Sequence, residues 1–168
     1  IAQIQEKLGH PLVVRAMPNT PAMLGMGITG FTAAKEVDLA NLRRVENLIN
    51  ATGRSIFLED EAMLDAVTAL SGSGPAYFYY VVKAMVDAGR QMGFDDAVSA
   101  LLVKQTMLGA YHLINNADKS LDDLIKAVAS KGGTTEAALR TFENGALADT
   151  LVAGIKAAQI RATELSKG

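Results

Sequence analysis

The residues with the most chemistry to offer are Ser130-Lys131-Gly132-Gly133-Thr134-Thr135-Glu136. Two glycines separate one helical pattern from the next, so they open onto a helix N-terminus. Unpaired backbone N–H groups and the positive end of the helix dipole meet there, and glycine lets an anion come close. The hydroxyls of Ser130, Thr134 and Thr135 add donors. Such a turn can seat a small carboxylate or a phosphate. A plain helix–helix turn accounts for the same pattern, with Ser and Thr as caps and Glu136 in the favoured first turn. It is not a P-loop, because Lys131 precedes the glycines instead of following them.

Two further segments invite comparison. Met17-Pro18-Asn19-Thr20-Pro21 directly follows a short apolar run that reads as a strand. Ligands of open α/β sheets collect beyond the carboxyl ends of strands, so a cofactor could lie on this loop, although a rigid turn without a ligand explains it equally well. Ser71-Gly72-Ser73-Gly74-Pro75 lacks the third glycine of a dinucleotide fingerprint and does not follow a strand. Close backbone packing, with proline at the first helical position, is the simpler reading. His10 and His112 have no metal-ligand spacing with neighbouring carboxylates, and Asp122-Asp123 reads as a helix start, so no metal site is expected. No nucleophile has an adjacent base, which argues against hydrolysis.

The elements that must position these residues change character near residue 60. Before it, helix and strand alternate: a helix ending at Gly9, a strand over 11–17, a strand over 27–34, an amphipathic helix over 38–51 and a strand over 55–58. In that amphipathic helix Leu39, Leu42, Val45 and Ile49 share the apolar face, while Arg43, Arg44 and Glu46 face water. Alternation of this kind is α/β, but three strands make a poor sheet by themselves. After it, the periodicity predicts helices over 61–70, 75–92, 95–115, 120–129, 134–143 and 146–165. Ser120 can cap a first turn carrying Asp122 and Asp123. Between Ala76 and Ala88 the only charges are Lys83 and Asp87, so the helix is apolar nearly all round and needs cover on most sides, in part from a second subunit. The last helix carries a seam of Leu147, Leu151, Ile155, Ala158, Ala162 and Leu165, which also suits an oligomer.

Composition narrows the classes. Across 168 residues 49% are hydrophobic and 20% charged, a mixture that buries a core, and the formal charge of −2 with no basic run speaks against a nucleic-acid partner. Cysteine is absent, which excludes disulfides and thiolate chemistry and is compatible with the cytoplasm. The longest apolar run, Ala76 to Met85, is interrupted at Lys83, and no membrane partner is expected. A start at Ile1 without an initiator Met suggests a trimmed chain.

Taken together, RAMPNTP (Arg15–Pro21), DAVTALSGSGPAY (Asp65–Tyr77) and SKGGTTEAAL (Ser130–Leu139) make the chain resemble pyrroline-5-carboxylate reductases from end to end. The resemblance implies an α/β remnant of a Rossmann domain over 1–60. An all-α C-terminal dimerisation and substrate-binding domain over 61–168 would follow it. It implies reduction of Δ1-pyrroline-5-carboxylate to L-proline by NADPH, with NADH as the other option, in a cytoplasmic homodimer that some members assemble into decamers. Catalysis would fall to Thr135, hydrogen-bonded to the ring nitrogen. The substrate would be bound by Glu61, Ser130, Gly132, Gly133, Thr134 and Thr135, with backbone groups at Gly133 and Thr134 on its carboxylate. The cofactor would lie along Met17, Pro18 and Asn19.

This sequence departs from the family pattern in Lys131, where proline is usual, and in Ala127, where some relatives are polar. More serious, no strand–GxGxxG–helix unit is present, so the chain by itself is expected to dimerise and show little activity. Two rival readings are a helical oligomerisation module without catalysis and a β-hydroxyacid-type dehydrogenase. The second would need Lys104 as its catalytic lysine, which reads better as a solvated helix residue.

Overall fold

A computed structural model describes residues 1–167. Contacts divide them into two compact units, one formed by Ile1–Tyr77 with the chain from Ala153 onward, the other by Phe78–Val152.

The first unit holds the sheet. Helix α1 (Ala2–Leu8) stops at Gly9, whose φ of 60° is the left-handed conformation that glycine adopts without penalty. Strand β1 (Val14–Met17) leads through a 3-10 turn (Thr20–Leu24) to β2 (Gly27–Ala33), then α2 (Leu39–Asn50) and β3 (Gly53–Phe57). The strand order is β1-β2-β3, antiparallel between β1 and β2 and parallel between β2 and β3. The parallel pair needs a crossover, and α2 supplies it. Asp38 starts α2 by accepting the Asn41 N–H at 2.7 Å. Its apolar face is narrower than the sequence predicts: Leu42, Val45 and Ile49 are half-buried, but Leu39 is exposed and Glu46 is partly covered. Strand β1 is also shorter than expected. It pairs only opposite Gly30–Ala33, with one more bond from Ala34 N–H to the Val13 carbonyl, and Pro11 has no N–H to extend the ladder.

Central strand β2 is buried on both faces, with Phe31 and Thr32 each at 1% exposure. Phe31 meets Phe57 edge to face at 5.5 Å between ring centroids. Glycines let the backbones close in. Gly53 begins β3 at φ 146°, and a Cβ there would lie 2.1 Å from the Gly27 carbonyl oxygen. A Cβ on Gly30 would lie 2.9 Å from both methyls of Val67, so the helix that follows the sheet rests directly on the strand.

That helix differs from the expectation. Where periodicity predicts one helix over 61–70, α3 (Met63–Val67) widens into a π-helical segment (Thr68–Gly72). The widened turn is closed by Ser73 N–H to the Thr68 carbonyl at 2.8 Å, and the Tyr77 hydroxyl donates to the Ala69 carbonyl at 2.9 Å. Leu64 is fully buried, and buried Asp65 accepts from Thr163 Oγ1 at 2.9 Å, tying α3 to the end of the last helix.

The rest is helical: α4 (Gly74–Gln91), α5 (Asp96–Asn116), α6 (Leu121–Val128), α7 (Thr134–Asn144) and α8 (Leu147–Lys167). Within the second unit, Arg90 bridges Asp87 at 2.8 Å and Asp96 at 2.6 Å across the α4–α5 turn. Gly89 lies against buried Ser99, whose Oγ a Cβ would approach to 2.8 Å. Asp95 and Ser120 cap their helices by accepting the N–H groups of Val98 and Asp123. The aromatic run of α4 is open to solvent in the protomer, with Tyr80 75% exposed. In length and apolar composition α5, rather than Ala76–Met85, comes nearest to a membrane span, with a mean hydropathy of 1.2 over its best window. Length and composition alone do not distinguish a span from a helix awaiting a protein partner.

Candidate functional site

The glycine turn between α6 and α7 is built from its own hydrogen bonds. Gly132 takes φ 74°, and Gly133 N–H donates to the Ser130 carbonyl at 2.9 Å. A Cβ on Gly133 would lie 2.6 Å from Ser130 Oγ, so the serine side chain folds over the second glycine. Glu136 reaches back from the first turn of α7 and accepts the N–H of Gly132, the residue before the Gly133 N-cap, at 2.6 Å, one position earlier than the acid of a capping box does. Arg140, one turn further on, lies 3.8 Å from the same carboxylate.

Ser130, Gly132, Gly133, Thr134 and Thr135 are therefore brought together in one ordered turn, with Thr135 half-buried and Ser130 and Thr134 exposed. The amide of Gly133 is engaged inside the turn. The groups left for an anion are the first amides of α7, on Thr134 and Thr135, which a helix leaves without internal acceptors. Glu136 is the residue that sequence reasoning undervalued here. Its position three residues after the Gly133 N-cap was the signal.

The loop after β1 is equally well tied. Asn19 stands at the N-cap of the 3-10 turn, yet its side chain makes no capping bond there. Its Oδ1 accepts the Ile28 N–H at 3.0 Å, and its Nδ2 donates to Ser71 Oγ at 3.3 Å. Met17 lays its terminal methyl against Gly72, where a Cβ would lie 2.6 Å away. The SGSG segment thus serves packing, with its glycine accommodating a residue of the neighbouring loop.

Glu61 lies just before α3 and pairs with Arg15 Nη1 at 2.9 Å. It belongs to the first compact unit, as Met17, Pro18 and Asn19 do, whereas the glycine turn belongs to the second. Among the described residues, no three acidic or histidine side chains converge to hold a metal.

Whether these residues fit a dinucleotide can be tested on the glycines. The spacing Gly-x-Gly-x-x-Gly does occur at Gly25, Gly27 and Gly30, but Gly27 and Gly30 lie within β2 and run along a strand instead of opening a helix. A Cβ at Gly27 would meet Ala22 at 2.8 Å, and one at Gly30 would meet Val67, so these two glycines serve packing. Among the described residues, these glycines open no helix N-terminus that could seat a pyrophosphate in that way.

The family model for pyrroline-5-carboxylate reductase dimerisation matches residues 61–165. Pyrroline-5-carboxylate reductase of Pseudomonas aeruginosa is 40% identical over 167 residues, which are 99% of this chain and 61% of the relative. That of Mycobacterium tuberculosis is 39% identical, covering 98% of this chain and 62% of the relative. Among solved structures, a pyrroline-5-carboxylate reductase from Coxiella burnetii superposes with a TM-score of 0.89 at 37% identity, over 98% of this chain and 61% of that one. Pyrroline carboxylate reductase from Plasmodium falciparum, with NADP bound, gives 0.91 at 29% identity, over 96% and 62%. The chain thus spans about three fifths of the length of the curated relatives it matches.

Proposed function

This chain belongs to the pyrroline-5-carboxylate reductase family, and from that premise we propose that it is the substrate-binding and dimer-forming part of a cytoplasmic enzyme that reduces Δ1-pyrroline-5-carboxylate to L-proline. In this reading residues 1–60 complete a dinucleotide-binding domain and 61–168 form the helical domain. The observation that carries the proposal is the ordered turn Ser130–Glu136 at the N-terminus of α7. Its free amides on Thr134 and Thr135 and the helix dipole suit a single small carboxylate.

The Thr135 hydroxyl is the group assigned to the imine nitrogen. Substrate binding through the amides of Thr134 and Thr135 would bring the ring against this hydroxyl, which donates a hydrogen bond as the nitrogen gains basicity. NADPH or NADH, when bound, supplies the hydride. Because the cofactor carries that chemistry, the residues of this chain have only to hold the carboxylate, orient the ring and stabilise charge. Glu61, next to Arg15, is assigned to the substrate side, and the backbone of Met17–Asn19 to the nicotinamide side. The NADP bound to the Plasmodium falciparum relative supports the choice of cofactor.

Self-association follows from the same reading. The aromatic residues of α4 and the apolar side chains of α5 stay exposed in the protomer, and the matching family is described by its dimerisation. A homodimer, or a decamer built from five dimers, would cover them. A purely structural role for the chain taken alone is favoured by one observation, the absence of a pyrophosphate-binding strand–glycine–helix unit.

The test is Thr135→Ala in the full-length enzyme. Loss of a hydrogen bond to a nitrogen acquiring charge is worth roughly 1.5–3 kcal/mol, so kcat/KM for pyrroline-5-carboxylate should fall about 10- to 100-fold. Thr135→Ser should recover most of it. Unchanged kinetics in Thr135→Ala would sink the assigned role.

A further inference from the structure

We infer that Asn19 is a positioning residue for the dinucleotide: it acts by clasping the loop after β1 to the π-helical segment through Ser71, and not by touching the cofactor with its own amide. This deepens the proposed function and rests on it, since that reading puts Met17–Asn19 beside the nicotinamide.

The argument begins with a diverted side chain. An asparagine at an N-cap ordinarily accepts an N–H of its own first turn. Here the cap bond is absent and the side chain reaches out of the loop on both sides. On one side it continues the sheet. Gly27 N–H points to the Thr52 carbonyl on the β3 side, so the next amide, Ile28, faces the other way, where β1 has already ended with Met17 opposite Gly30. Asn19 Oδ1 stands in for the missing strand carbonyl at 3.0 Å.

On the other side it grips Ser71 Oγ at 3.3 Å, while Met17 packs on adjacent Gly72. Two contacts two residues apart in the loop thus meet two consecutive residues of one turn. That turn is a π-helical segment, a departure from regular helix that recurs at functional sites. It is fixed from behind by the Tyr77 hydroxyl on the Ala69 carbonyl. Pro18, between the two contacts, removes one backbone freedom more. The result is a short stretch of main chain at the carboxyl end of a strand whose position is set by Ser71 and Gly72.

The test is a cycle of Asn19→Ala, Ser71→Ala and the double variant in the full-length reductase, with Ser71→Thr as the conservative control. If the clasp acts as inferred, each single variant raises the dinucleotide KM about 5-fold, the equivalent of one net hydrogen bond, with the KM for pyrroline-5-carboxylate little changed. The double variant is then no worse than Asn19→Ala alone, and Ser71→Thr, which keeps the hydroxyl, restores the KM. A general loss of folding would lower kcat without this selective change. A normal dinucleotide KM in Ser71→Ala beside a raised one in Asn19→Ala would overturn the inference, because Asn19 would then be acting directly. Amide hydrogen exchange across residues 17–28 in the same variants needs no turnover. Faster exchange there in both single variants supports the clasp even if the enzyme proves unable to reduce pyrroline-5-carboxylate, which would fail the proposed function alone. Exchange unmoved by Ser71→Ala overturns the clasp.

Discussion

Gly30 offers a sharp test of how the sheet receives α3. In Gly30→Ala the new methyl would stand 2.9 Å from Val67 Cγ1 and from Cγ2, and 3.3 Å from its Cβ. Both methyls face the strand, so a rotation about χ1 turns at most one of them away. Overpacking of this kind costs about 1–3 kcal/mol, offset by roughly 0.5–1 kcal/mol from removing glycine from a strand interior. The net expectation is a loss of about 1–2 kcal/mol. Val67→Ala removes two half-buried methyls and should cost about 1–2 kcal/mol by itself. In the double variant the alanine methyl at 30 enters the space left at 67, so the two losses should not add. A favourable coupling of about 1–2 kcal/mol is expected. Urea unfolding of all four proteins measures it, at one protein concentration because self-association makes apparent stability depend on concentration. Additivity within about 0.5 kcal/mol, the range for independent sites, would refute the packing described here, as would a Gly30→Ala protein as stable as its parent.

Two other outcomes follow from single contacts. Glu136→Ala removes the acceptor of the Gly132 N–H and should cost about 0.5–2 kcal/mol, as loss of a helix cap does; in the full-length enzyme it should also raise the KM for pyrroline-5-carboxylate, and a substrate KM identical to the parent's would contradict the role given to the turn. The Asp87 carboxyl is held below its usual range mainly by the hydrogen bond from Lys83, with Arg90 adding to it against a smaller opposing effect of desolvation. A depressed folded value means that the contribution is present above the ordinary aspartate range and fades as pH falls through the lowered one. An NMR titration should therefore show Asp87 rising toward its ordinary value in Lys83→Met, and no movement would show the pair to be idle.

Much of this was legible because it is local chemistry. Asp38, Asp95 and Ser120 announce helix starts, and each accepts the N–H three residues on. Gly9 announces a stop and takes the left-handed conformation. The glycine turn before Thr134 was visible for the same reason, since its geometry depends on residues within seven positions of each other. What was not legible depends on residues far apart in the chain. The π-helical segment lies where periodicity reads as ordinary helix, and it is supported by Tyr77 and by Met17 at the end of β1. Asn19 reads in sequence as part of a cofactor loop or of a rigid turn, and only Ile28 and Ser71 in space reveal its use. The literal glycine spacing at Gly25, Gly27 and Gly30 shows the converse, a pattern with a familiar form in a strand where it serves packing.

The meeting of Gly53 with Gly27 has a genetic consequence. These residues are paired across the parallel strands, and at Gly53 neither the backbone angle nor the 2.1 Å approach to a carbonyl leaves room for a methyl group. Every missense change of one base in a glycine codon inserts a residue with a Cβ. Every first mutational step at position 53 therefore meets both this contact and a backbone angle that residues with a Cβ rarely adopt, so change in this part of the sheet is least costly around it.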